Sequence, residues 1–156
     1  MILEKSKAPG FKLKDQSGEW KTLENYAGNL LILYFYPRDN TPGCTTEACN
    51  FRDDFGIYKD LGVEIVGIST DDEESHTKFI TKFDLPFTLL ADGGHEVCEA
   101  YGVWAKKKNF GKEYFGIKRT TFLIDEEGMV VKVFKNVKPA SHSEQVINAI
   151  EELQRK

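Results

Sequence analysis

A chain of 156 residues, 40% hydrophobic and 29% charged, has the balance of an ordinary soluble globular protein, long enough for one domain with a real core and in no need of a linker. Its formal charge of −4 argues against bulk affinity for nucleic acid, and the three lysines at 106–108 read as a short solvated face. The first residues lack the apolar core of a signal peptide and no segment approaches the roughly 18 apolar residues of a membrane span, so a cytoplasmic location with no nucleic-acid and no membrane partner is expected.

Taken in order, residues 8–22 read as a pair of strands around the turn signal Asp15, Gln16, Ser17, Gly18, a peripheral hairpin near the N-terminus. Residues 30–36 are continuously apolar, as expected for a strand covered on both faces. A helix is expected over 42–61, because Thr41 suits the N-cap, Pro42 the first helical position and Gly62 the C-terminal cap. Cys44, Ala48, Phe51, Phe55 and Tyr58 recur along it at helical spacing and form its core-facing stripe, whereas Cys49 lies off that stripe. A strand over 63–69 follows, then a helix capped by Asp71 and Asp72 that runs to about 82, and a strand near 87–90. Residues 96–101 make a short helix, and the lysine-bearing stretch from there to Gly116 shows no period and is expected to be loop. Residues 120–124 and 130–134 form a hairpin through Asp125 to Gly128, and residues 141–155 a closing amphipathic helix. The pattern predicts a thioredoxin-like α/β fold: a central mixed sheet flanked by helices, with an N-terminal hairpin, in a single domain over 1–156.

Three cysteines are an odd number and too few for a disulfide framework, which leaves buried hydrophobes or working thiols. Cys44 falls in the first turn of the expected helix, where unpaired backbone N–H groups and the helix dipole favour thiolate. A small buried hydrophobe is the equally ready reading of its position, and the surrounding Pro37, Pro42 and Gly43 tip the balance by shaping a turn. Thr41 has two compatible roles, an N-cap bond to the Cys44 N–H and a hydroxyl within reach of the sulfur or of an oxygen bound beside it.

Cys44 and Cys49 are five residues apart, which on an ideal helix gives a rise of roughly 7.5 Å and Cα atoms about 8 to 9 Å apart. A disulfide needs less than about 7 Å, so a bridge between them requires the first turns of the helix to unwind, a redox switch rather than a staple. Zinc is disfavoured, since there is no CxxC and the histidines are scattered at 76, 95 and 142. The same histidines have no pairing with Cys44 that would suggest a cysteine-protease dyad, and Cys98, with Val97 and Tyr101 beside it, reads as a core residue.

Pro37, Thr41 and Cys44 match the P-x-x-x-[T/S]-x-x-C signature of the peroxiredoxins, and the run from Thr41 to Asp53 is similar to the bacterioferritin-comigratory-protein, or peroxiredoxin-Q, branch. The likeness spans nearly the whole chain, through Ala8 and Pro9, Ser75 and His76, residues 85–87, residues 101–104 and residues 116–125. Departures are Gly10 where an acidic residue is frequent, Ala105 where glycine is frequent, and the additional Cys98.

The resemblance implies a thiol peroxidase with Cys44 as peroxidatic cysteine, Thr41 and Arg119 as activating partners and Pro37 shielding the pocket. Glu47, one turn beyond Cys44, is a possible partner for Arg119, and Cys49 stands where many members of the branch carry the resolving cysteine. It further implies peroxide as substrate, thioredoxin or a similar dithiol as reductant, no metal, flavin or haem cofactor, and a monomer or weak homodimer. Two other classes remain: a dithiol oxidoreductase, against which the four residues between the cysteines count, and a binding module with inert thiols.

Overall fold

The computed structural model describes residues 4–155. Strands β1 (Lys12–Asp15) and β2 (Trp20–Thr22) lead through a short 3-10 turn, Leu23–Tyr26, to β3 (Leu30–Phe35), α1 (Pro42–Asp53), α2 (Phe55–Asp60), β4 (Val63–Ser69), α3 (Glu73–Phe83) and β5 (Thr88–Ala91). After them come α4 (Glu96–Ala100), β6 (Trp104–Asn109), β7 (Lys112–Ile117), β8 (Thr120–Ile124), β9 (Val130–Phe134) and α5 (His142–Gln154). Seven strands form one sheet in the order β2-β1-β5-β4-β3-β8-β9, in which β3, β4 and β5 are parallel and the outer pairs antiparallel. This is the mixed sheet with an N-terminal hairpin that the sequence predicts.

Every residue of β3 is buried, because the strand lies at the centre with a core on each face. Its alternate residues divide accordingly. Leu30, Ile32 and Tyr34 join the core that holds Cys44 and α1, and Leu31, Leu33 and Phe35 join the one that holds Cys98 and α4. In β4, Gly67 is required by close approach: a Cβ there would stand 2.8 Å from both Tyr34 Cζ and Leu89 Cδ2, so its absence lets the Tyr34 ring lie across the strand. No helix among the described residues is long and apolar enough to cross a membrane.

Two expectations are corrected. The helix expected over 42–61 breaks at Asp54, whose ψ of 6° leaves the helical range. Its carboxylate accepts a 2.7 Å bond from the Ser143 hydroxyl, and Tyr58 donates 3.0 Å to the Ser143 carbonyl, so the start of α5 draws the chain aside at that point. The stretch read as loop up to Gly116 contains the two-stranded β6–β7 hairpin. Phe110 and Gly111 both have positive φ (52° and 78°), the requirement of a tight two-residue turn, but Phe110 is not a residue that announces one. Of the three lysines there, Lys106 and Lys108 are exposed as expected, whereas Lys107 is half-buried.

Candidate active site

β3 ends at Phe35, and Tyr36 continues its line with an N–H bond of 3.1 Å to the Ile68 carbonyl before the chain turns through residues 37–41 into α1. Thr41 is the N-cap with Pro42 in the first turn, and the Thr45 N–H donates 2.8 Å to the Thr41 carbonyl, so winding begins where the sequence predicts. The Thr41 side chain makes no cap bond: its hydroxyl donates 3.0 Å to the Arg38 carbonyl, because the loop folds back under it. The expected bond to the Cys44 N–H is therefore absent. Pro37 is half-buried at the foot of this loop.

Cys44 is 2% exposed and faces the core through the stripe shared with Ala48, Phe51 and Tyr58, all fully buried. Arg119, on the link between β7 and β8, reaches across to it: Nη2 donates to Cys44 Sγ at 3.3 Å and Nη1 donates to Glu47 Oε1 at 2.8 Å. One guanidinium thus spans two positions of α1 that lie one helical turn apart. Burial works against the charge of Arg119, but the attraction of Glu47 and Cys44 outweighs it and raises its pKa. Gly43 makes room for this fork, since a Cβ there would stand 3.2 Å from Arg119 Nη2 and 3.6 Å from Pro139 Cγ.

Glu47 is 1% exposed, and its second oxygen, Oε2, has no hydrogen-bond partner among the described residues. Burial pushes its carboxyl up to about 7, and Arg119 only partly offsets this. The Tyr34 hydroxyl is likewise buried and without a partner among the described residues. Its pKa is raised by burial first and then by the negative charge of Glu47 and Cys44, which holds it as a neutral phenol. Lys107, turned inward from the hairpin, has its pKa lowered by burial and by Arg119, while Cys44 acts the other way, so it belongs to the same electrostatic neighbourhood. Sequence reasoning missed Lys107, because nothing in a run of three lysines marks the middle one.

The three cysteines are free. Cys49 is half-buried on the same continuous helix as Cys44, off the core stripe as expected. Cys98 is fully buried in the core on the other face of the sheet. Its thiol is pushed far up by burial and then by Asp92, whose Oδ2 also accepts 2.8 Å from the Cys98 N–H. His76 and His142 are both buried away from the sulfur of Cys44 in their bonding: His76 pairs with Asp39 at 2.7 Å and His142 with the Thr121 hydroxyl at 2.7 Å.

A buried sulfur under a guanidinium, on the first turn of a helix, is an arrangement for stabilising negative charge on sulfur and on an atom leaving it. The chain resembles known proteins over most of its length. The AhpC/TSA family model matches residues 5–133. Peroxiredoxin Bcp of Bacillus subtilis (strain 168) is 48% identical over 150 residues, covering 96% of each chain. Among solved structures, a mutant of Xylella fastidiosa PrxQ superposes with a TM-score of 0.93 at 30% identity, over 99% of this chain and 98% of that one. The bacterioferritin comigratory protein of Xanthomonas campestris, solved as trapped intermediate and ligand complexes bearing on its alkyl peroxide reduction, gives 0.86 at 38% identity, over 91% and 90%. These likenesses carry the thioredoxin-like fold with them, and the chain belongs to the AhpC/TSA family, in the bacterioferritin-comigratory-protein or peroxiredoxin-Q branch of the thiol-dependent peroxidases.

Proposed function

We propose that the chain reduces hydrogen peroxide and organic hydroperoxides through Cys44, resolves the product with Cys49, and is recycled by thioredoxin or a similar dithiol protein. The observation that carries the reading is the 3.3 Å contact from Arg119 Nη2 to Cys44 Sγ, in a site that also holds the Arg119 to Glu47 ion pair. The likeness to a protein known for alkyl peroxide reduction supports organic hydroperoxides as substrates.

In the first step the Cys44 thiolate attacks one oxygen of ROOH. An S–O bond forms and the O–O bond breaks, sulfur is oxidised by two electrons to sulfenic acid, and the departing RO⁻ takes a proton to leave as water or alcohol. The Arg119 guanidinium lies where it can steady charge first on sulfur and then on the departing oxygen. The resemblance suggests Thr41 as a further activating partner and Pro37 as a shield of the pocket, and Tyr34, buried and held as a neutral phenol, shares the electrostatic neighbourhood of Cys44, Glu47 and Arg119.

In the second step the Cys49 thiolate attacks the Cys44 sulfur, expels the hydroxyl as water and forms the disulfide; a dithiol then restores both thiols by exchange. Both cysteines lie on α1, five residues apart, so the helix must open before they can meet. Cys98 is disfavoured as resolver because a seven-stranded sheet separates its core from that of Cys44. The family's branch further suggests a monomer or weak homodimer that needs no metal, flavin or haem.

The test is replacement of each cysteine by serine, with peroxide consumption followed in a thioredoxin-coupled assay and the oxidised chain mapped by peptides. Cys44→Ser should abolish turnover, Cys49→Ser should stop the dithiol-dependent cycle after one equivalent of peroxide, and Cys98→Ser should leave both intact. A bridge mapped from Cys44 to Cys98, or turnover lost only in the Cys98 variant, would overturn the assignment.

A further inference from the structure

Between Pro37 and Thr41 the loop buries one acidic side chain, Asp39, with polar partners on both carboxylate oxygens. The Tyr36 hydroxyl donates to Oδ1 at 2.5 Å, the Ser75 hydroxyl donates to Oδ2 at 2.8 Å, and His76 Nδ1 lies 2.7 Å from Oδ2. The Asp39 N–H in turn donates 2.7 Å to Asp71 Oδ2, which the Ser69 hydroxyl also bonds at 2.7 Å. On its far side His76 Nε2 lies 2.9 Å from the Leu90 carbonyl, an acceptor only, so that nitrogen carries a proton. Nδ1 faces the Asp39 carboxylate, with the Tyr36 hydroxyl 3.4 Å away, a setting that favours the protonated ring and a buried ion pair. In agreement, Asp39 and the Leu90 carbonyl raise the His76 pKa against the opposing effect of burial. Asp39, Asp71 and His76 lie within 4.8 Å of one another, but protein donors already occupy their facing atoms, which makes them a hydrogen-bond network rather than a cation site.

The network ties the loop to three elements at once: the end of β4 through Ser69 and Asp71, α3 through Ser75 and His76, and β5 through Leu90. Lys82 of α3 adds a 3.3 Å bond to the Asn40 side chain. The other end of the reactive turn is tied as well. The Asn50 side chain donates to the Pro139 and Ala140 carbonyls at 3.2 and 3.3 Å, Arg52 donates 2.8 Å to the Phe83 carbonyl, and Phe51 is fully buried 4.9 Å from the Tyr34 ring. Between these two moorings lies the segment from 40 to 49, and it contains both cysteines of α1.

We propose that Asp39 and His76 are positioning residues for Cys44: by holding the loop against β4, α3 and β5 they keep the first turn of α1 wound, in the form where Arg119 reaches the sulfur. The inference rests on the functional reading above and adds to it a control on the balance between two steps. A tighter mooring favours attack on peroxide and slows the unwinding that Cys49 needs, so it also lengthens the time in which a second peroxide can carry the sulfenic acid to sulfinic acid. A looser one does the reverse.

Asp39→Asn, His76→Gln and Ser75→Ala, in the full chain, test this. Three quantities are read: the rate of Cys44 oxidation by hydrogen peroxide in a Cys49→Ser background, the rate of disulfide formation after oxidation with Cys49 present, and the peroxide concentration that inactivates during turnover. Asp39→Asn should slow the first by about tenfold, the scale of one lost bond to a charged group, while the second rises and resistance to inactivation increases. His76→Gln, which keeps a donor but no charge, should move all three the same way by less. Ser75→Ala, the mildest, should move them least and keeps the ion pair for folding. Hydrogen exchange of residues 42–49 in the reduced chain should quicken in the same order, a readout independent of the chemistry. If both steps slow together, or if exchange over 42–49 does not change, the positioning role is wrong. Absence of a Cys44 to Cys49 bridge in the unaltered chain would instead overturn the functional reading, leaving the exchange result to judge the mooring alone.

Discussion

Cys44 and Cys98 are close to equally buried, at 2% and 0% exposure, in cores on opposite faces of one sheet, yet opposite charges face them. Cys44 meets the guanidinium of Arg119 at 3.3 Å; Cys98 meets the carboxylate of Asp92, and burial together with that carboxylate drives its thiol far up. Each also lies on a helix, Cys44 in the first turn of the twelve-residue α1 and Cys98 within the five-residue α4. Burial therefore does not distinguish the two thiols. The side chain brought in from another part of the fold does so: Arg119 comes from 75 residues away, whereas Asp92 is local.

The largest break in this comparison is Arg119→Met. It removes the donor to sulfur and leaves Glu47 without its cation, and the rate of Cys44 oxidation by peroxide should fall about 10²- to 10³-fold, the scale of losing a group aimed at developing charge. Arg119→Lys should recover part of that loss, since charge remains but the fork that spans Cys44 and Glu47 does not. Single-turnover measurements in excess peroxide decide it. A fall of less than about threefold in Arg119→Met would show that the Cys44 chemistry does not depend on the guanidinium.

The converse change acts on Cys98. Asp92→Asn removes the negative charge beside the thiol, and alkylation of Cys98 near neutral pH should quicken by about tenfold at most while staying slower than that of Cys44, because its burial remains and Arg119 faces Cys44 instead. Asp92 also accepts from the Val97 and Cys98 N–H groups at 3.3 and 2.8 Å, so the variant should lose about 1 kcal/mol of stability as the start of α4 loosens. If Cys98 became as reactive as Cys44, charge alone would separate the two and the sheet core would count for little.

What the sequence made legible follows from the range of the forces involved. The buried run of β3 and the start of α1 are written in local signals, a continuous apolar stretch and a Thr-Pro pair, and both appear where expected. The β6–β7 hairpin was hidden because its faces are largely solvated and three consecutive lysines mask any alternation; Phe110 at its tip is 98% exposed. The break at Asp54 depends on Ser143, 89 residues on, and could not be seen in the helix's own sequence. The same limit applies within the site. Cys44, Cys49 and Thr41 stand in one motif, whereas Arg119 is marked only by the family resemblance. Asp39 carries no local signal, because its partner His76 lies 37 residues downstream and reads, alone, as an ordinary helix residue.

The smallest expected effect on rate, and the most specific in its pH dependence, belongs to Glu47. Gln at this position still offers a carbonyl to Arg119 Nη1, so Glu47→Gln should slow Cys44 oxidation only severalfold. Stability should respond more clearly. Burial raises the Glu47 carboxyl from an ordinary 4.5 to about 7, so the folded chain holds this proton more tightly than the unfolded one. The resulting contribution is complete below pH 4.5 and is lost as the pH rises toward 7, by about 3 kcal/mol at most. His76, with a raised pKa, and His142, lowered to about 4, titrate in the unaltered chain and in the variant alike, so the difference between the two isolates Glu47. Urea unfolding measured between pH 4.5 and 7.5 should show Glu47→Gln gaining on the unaltered chain as the pH rises. Parallel curves would mean that Arg119 keeps the carboxylate ionised throughout, and that both halves of the fork carry full charge while Cys44 reacts.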